Sequence, residues 1–223
     1  MFSIRRTLDN FIMKRSNRRA VVAAEYARVE ALEKIFAIKL PVMQTAFMNA
    51  PADFFDGTLP EYPPALYLNE IGVDAFVTNM AIEDSLLEKF FDIAASDMVE
   101  VESMHYMSKG DAHKICHTFV ATKSEFQGHT VYVLTNDMNL LRRLGDDDLN
   151  PPPPWSLFPK LGLPVGDMQG DAQYWYENHW YPYWRHLSPD QRTKFLRDRN
   201  PGPDWEECLR WREPKQQQNK VTA

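Results

Sequence analysis

Cysteine is scarce in this sequence: Cys116 and Cys208 are the only two in 223 residues. They lie far apart and share no CxxC spacing. A disulfide framework is therefore not expected, and reduced thiols in a cytosol, nucleus or organelle matrix fit better. Long apolar runs are also missing. Stretches such as Val131-Tyr132-Val133-Leu134 fall far short of the roughly 20 residues a membrane helix needs. No apolar segment follows the N-terminal charges, as a secretory signal would require. GxSxG, P-loop, GxGxxG and HExxH patterns are absent too, so no motif supports a nucleophile elbow, a phosphate cradle or a zinc protease site. The expectation is a chain that is not an enzyme, with no cofactor, no metal and no transmembrane segment.

What is present is a globular composition. Apolar residues make up 44% and aromatics 13%, and the aromatic share excludes a disordered chain. The net charge of −6 is unevenly spread. Residues 1–39 carry nine Lys+Arg against four Asp+Glu, a balance of +5. Residues 40–170 carry seven against nineteen, or −12, and residues 171–223 carry nine against eight, or +1. A basic head on an acidic body suggests that the head meets an anionic surface.

The head contains Arg5, Arg6, Lys14, Arg15, Arg18 and Arg19 against the single acid Asp9. Ile4, Leu8, Phe11 and Ile12 recur at helical spacing. These are the properties of a mitochondrial transit peptide, although serines are sparse; an exposed basic helix of the mature fold is the alternative. The six cations are the expected contacts to an anionic partner. Val22, Tyr26, Val29, Leu32 and Phe36 then form an apolar stripe among good helix formers. One long helix over about 4–39, stopped by Pro41, is expected.

Residues 41–66 read as irregular, punctuated by Pro51, Pro60, Pro63 and Pro64. A second helix is expected over 80–95, with Ile82, Leu86, Phe90 and Ile93 as its stripe and Asn79 as its cap. The period then changes to two. Residues 99–104, 114–122 and 130–135, separated by turn signals at Ser108–Asp111 and Gln127-Gly128, predict a three-stranded antiparallel meander. The two helices would cover it. Residues 145–170, with Pro151 to Pro154, read as a Pro-rich strap that joins neither helix nor central strand. Beyond it comes an aromatic-rich helical region. Pro182 should kink or divide it, Ser188-Pro189-Asp190-Gln191 is a capping box, and Asp204 starts a last helix.

The fold class is thus α+β. Its expected organisation is a basic helical segment (1–40), an α+β core (41–144), the connector (145–170), the aromatic helical region (171–214) and a polar tail (215–223).

Four histidines, His105, His113, His117 and His129, fall in the meander near Cys116 and Asp111. His113 and His117 on a straight strand stand roughly 13 Å apart and cannot share an ion, whereas His105 and His117 can meet across a hairpin. Cys116 and His117 are neighbours that should face opposite sides of a strand, which argues against a nucleophile–base pair. Trp175, Trp180, Tyr183, Trp184 and Trp205 fit three placements: stacking on single-stranded RNA, anchoring a protein interface, or an internal core. They are carried forward as protein-interface anchors.

Together these features lead to the expectation of a non-catalytic accessory subunit of a large multiprotein assembly on the matrix side of the mitochondrion. A ribosome comes first, and a respiratory or ATP-synthase complex second. Its partners would be other subunits, with structural RNA for the basic head. The alternatives are a free-standing acidic binding or inhibitor protein of bacterial or viral origin, then a metal-dependent enzyme built on the meander histidines. A cytoplasmic location is the fallback.

Overall fold

In the computed structural model, residues 23–48, 58–109, 115–146, 148–159 and 168–211 are described. The fold is mixed helix and sheet, and the sheet is wholly antiparallel. It has six strands rather than three: β1 (Ala65–Tyr67), β2 (Phe76–Glu83), β3 (Met98–Glu102), β4 (His105–Ser108), β5 (His117–Glu125) and β6 (Gly128–Thr135). Their spatial order is β1-β2-β6-β5-β4-β3.

Of the three added strands, β1 pairs with β2 at the end of the stretch expected to be irregular, and physical reasons account for the other two. The expected single strand at 99–104 folds back on itself, because Met104 takes a left-handed φ of 60° and turns the chain into β4. The expected helix at 80–95 is strand at its start. Phe76, Thr78, Met80 and Ile82 are buried at a period of two, and the buried Thr78 masks that apolar alternation. Its hydroxyl donates to the Pro64 carbonyl at 2.9 Å, which makes its burial tolerable. Asn79 therefore lies mid-strand and caps nothing. The helix itself, α3, begins only at Leu87 and runs to Ala95, with Phe90 and Ala94 buried.

A helix over 23–36 (α1) ends where Ala37 adopts φ 56°, so it is not continuous to residue 39. Pro41 does not stop a helix but starts one: it occupies the first turn of α2 (Leu40–Ala46), where its missing N–H is of no consequence. Glu33 bridges the junction, accepting from the Leu40 N–H at 3.0 Å and from Lys39 Nζ at 2.6 Å. Leu32, Met43 and Phe47 from these helices bury against Phe119 and Leu134 of the sheet. Tyr26, expected in the buried stripe, is exposed. The earlier part of the long helix lies outside the described residues.

After β6, α4 (Met138–Asp146) is capped by Asp137, whose carboxylate accepts from the Asn139 and Leu140 N–H groups. The strap then returns across the sheet. The Asn150 carbonyl accepts from the Glu83 N–H at 3.0 Å, and Pro151 to Pro154 are buried. The last of these prolines opens a single helical turn, α5 (Pro154–Leu157), so the strap is not wholly extended. Proline tolerates the first helical turn, which explains the departure from expectation.

Residues Gly170–Trp175 (α6), a π-helical turn at Tyr176–Trp180 and Tyr181–His186 (α7) follow one another, with right-handed helical backbone at each junction. Pro182 does not divide this run. It falls in the first turn of α7, directly after the π turn, and the first helical turn tolerates proline. The capping box forms as expected. The Ser188 hydroxyl accepts from the Gln191 N–H, the Gln191 side chain accepts from the Ser188 N–H, and α8 runs Pro189–Arg199. Asn200 ends it in the left-handed conformation, and α9 spans Pro203–Trp211. One apolar cluster joins sheet residues Met80, Ile82, Val120, Val131 and Val133 to Trp175, Trp180 and Trp184. The C-terminal helices thus close the same core as α3 and α4.

Candidate functional site

The expected interface anchors sit inside the protein. Trp175, Trp180, Tyr183, Trp184 and Trp205 are all buried. Trp180 is the hub: Trp155, Trp175, Tyr183, Trp184 and Phe195 all have ring centroids within 6 Å of it. The physical reason is area. Wide rings on consecutive helical turns bury most when they face the sheet and one another. Arg192 lies over Trp184 as a cation–π contact, and its guanidinium also donates to the Trp184 and Arg185 carbonyls. The six N-terminal cations lie outside the described residues, and so do His113 and Asp111.

Of the meander histidines, His105 and His117 do meet. Their ring nitrogens are 3.1 Å apart, His105 stacks on Phe119, and Phe47 packs edge-on against His117. Burial lowers both pKa values from their ordinary range, and repulsion from His105 lowers that of His117 further. One ring donates to the other, so the pair holds β4 to β5 while both rings are neutral. Cys116 packs with the main cluster and His117 with Phe47, so the thiol and the imidazole face apart. Among the described residues no group of three or more His, Cys, Asp and Glu is placed to hold a metal ion.

Sequence reasoning missed two polar arrangements. His129 Nε2 lies 2.7 Å from Asp84 Oδ1, and Ser124 Oγ lies 3.4 Å from His129 Nδ1. The residue types are those of a hydrolytic relay, but Asp84 is 82% exposed. Water screens such a carboxylate, so it orients the imidazole weakly. The array ties the β5–β6 hairpin to the end of β2. The second arrangement is Arg199 with Glu83, 2.7 Å apart and partly buried. It joins the last turn of α8 to β2 between two open clefts, of about 600 and 310 Å³. No spacing in the sequence marks this pair, since its partners are more than a hundred residues apart.

His179 stands apart from these. It lies in the π turn, only 2% exposed, and neither ring nitrogen has a hydrogen-bond partner among the described residues. Burial lowers its pKa, against a smaller upward pull from Glu125. A group buried in its neutral form resists protonation in the fold but not in the unfolded chain. Stability is therefore expected to fall as pH drops below the ordinary histidine value near 6.5. His179→Phe should leave stability at pH 8 within about 1 kcal/mol of the parent, because it removes unpaired polar atoms, and it should flatten this acid-side fall. Thermal melts across pH check it; an equally steep fall in the variant would move the cause to His105 and His117.

Among the described residues, exposed apolar side chains gather at the β3 edge, besides scattered ones such as Tyr26, Val42, Met48 and Leu66. Val99 and Val101 are 46% and 43% exposed, and Met104 at the adjoining turn is 38% exposed. Glu100 and Glu102, also exposed, alternate with the valines in sequence, and a bulge at Val101 breaks the regular pleat between them. Nothing among the described residues pairs with the outer side of this strand. No family model, curated protein or solved structure matches the chain.

Proposed function

We propose that this chain is a non-catalytic subunit of a larger protein assembly and docks on a neighbour through the β3 edge. The observation that carries the reading is the strand itself. Soluble proteins cover or blunt their edge strands, and β3 leaves two valines facing water, with Met104 exposed at the adjoining turn, at an edge that nothing among the described residues pairs. The opposite edge, β1, is only three residues long, which blunts it. The burial of the C-terminal aromatics in the protein's own core turns attention away from that region and toward β3. A mitochondrial setting rests on the basic, acid-poor head and belongs to the same proposal. No helix among the described residues is long and apolar enough to cross a membrane.

Gentle purification from the native source, followed by size-exclusion chromatography and mass spectrometry, tests this. Co-migration with stoichiometric partner proteins in a large particle is the expected result. Elution alone, at the mass of a single chain, would sink the subunit reading and favour a free-standing acidic binding protein, whose −12 central region suits a basic partner.

A further inference from the structure

We propose that β3 takes up an extended basic segment of a partner protein as a seventh strand of the six-stranded sheet, an inference that rests on the docking role above. The backbone geometry is read from the ladder. The Lys109 N–H donates to the Asp97 carbonyl at 3.4 Å, which makes Met98 and Ser108 a non-hydrogen-bonded pair. In such a pair the Met98 backbone groups turn away from β4, and two residues on, so do those of Glu100. Nothing among the described residues pairs with these N–H and C=O groups, and an added strand would engage them.

The side chains set the chemistry of that strand. An added strand keeps the pleat over Met98–Glu100, so one of its faces lies beside Val99 and the other beside Glu100, while Val101 and Glu102 stay exposed at the bulge beyond. Asp97 adds a further carboxylate at the start of β3. The complement is a segment alternating apolar residues with lysine or arginine. The register shifts between Glu100 and Glu102, so the straight edge is short, and charge must supply much of the recognition.

Two other occupants fit less well. A second copy of this chain, pairing β3 with β3, would set glutamates against glutamates on one face. The chain's own basic head has its apolar residues Ile4, Leu8, Phe11 and Ile12 at helical spacing, which does not supply strand alternation.

The test uses the full chain and a fluorescent, end-blocked hexapeptide of alternating lysine and valine, followed by anisotropy. Binding is expected at low salt and should weaken at high salt. Val101→Lys and Glu102→Lys should each weaken it by roughly tenfold. Leu66→Lys on the β1 edge should leave it unchanged. All three residues are surface positions, and circular dichroism confirms that the variants fold. Equal binding of a glutamate–valine peptide, or no loss in either β3 variant, would overturn the inference. So would a stable dimer of the chain that Val101→Lys dissociates, which would assign the edge to a second copy. A native particle that releases Val101→Lys but retains Glu102→Lys would overturn the basic strand and leave the subunit reading standing. Elution of the parent chain alone from its source would instead remove the subunit reading.

Discussion

Trp180→Ala is expected to cost about 3–5 kcal/mol, lowering the melting temperature by roughly 6–20 °C for a chain of this size. Trp180 is fully buried and meets five other rings, drawn from α5, α6, α7 and α8. No single element moves in easily to fill the space, because further ring pairs hold them: Trp155, Tyr183 and Trp184 each with Phe195, and Trp175 with Phe158. The cavity should therefore persist, and residual cavities are what make such truncations costly. Trp180→Phe separates packing from polarity. The indole N–H has no partner among the described residues, so removing it relieves a burial penalty while most of the ring contact stays. A loss smaller by at least half is expected for Phe. Equal losses would mean that the indole's full width, or an unseen hydrogen bond, holds the cluster.

The second large effect lies where backbone meets backbone. A Cβ on Gly128 would fall 2.4 Å from the Ile82 carbonyl oxygen and 3.1 Å from Pro152. A Cβ on Gly145 would fall 2.2 Å from the Tyr62 carbonyl oxygen. No rotamer change can relieve a contact with a main-chain atom, so the β2–β6 ladder or the α4–Tyr62 contact must itself move. Gly128→Ala and Gly145→Ala should each cost about 3 kcal/mol. Gly202, with no atom within 4 Å of its added Cβ, supplies the control. Gly202→Ala should stay within about 0.5 kcal/mol of the parent. Denaturant melts of the three variants check this. If Gly128→Ala were neutral, the start of β6 would not approach the Ile82 carbonyl of β2 as described.

Local chemistry in the sequence was legible where one segment decides its own conformation. The Ser188–Gln191 capping box formed because all its partners lie within four residues. The turn ahead of β6 falls one residue earlier than its glycine suggests. Phe126 and Gln127 carry the left-handed φ values of 53° and 54°, and Gly128 is spared for its close approach to Ile82. A bulky residue such as Phe126 is strained there. Its ring packs against Tyr174 and His179 from the C-terminal helix, which offsets the strain through contacts distant in sequence.

Other features depended on distant partners and were not legible. Strand β2 reads as the front of a helix because Ile82, Leu86, Phe90 and Ile93 keep helical spacing across a strand–helix junction. Only the pairing of β2 with β6 along its whole length decides in favour of strand. The aromatic region could be read as interface or core from its residues alone. The sheet and strap that bury it lie many residues upstream. The histidine pair was legible as a possibility, since the β4–β5 register sets His105 opposite Phe119 and diagonal to His117 on the same face.

Amide hydrogen exchange over β3 tests docking through this edge most directly. The peptide covering Met98–Glu102 would be followed in the isolated chain and in the native particle. Exchange is expected to be fast in the isolated chain, where the outward N–H of Glu100 faces water, and slowed at least tenfold in the particle, while the exposed face of α8 stays unchanged. Equal exchange of β3 in both states would contradict docking through this edge.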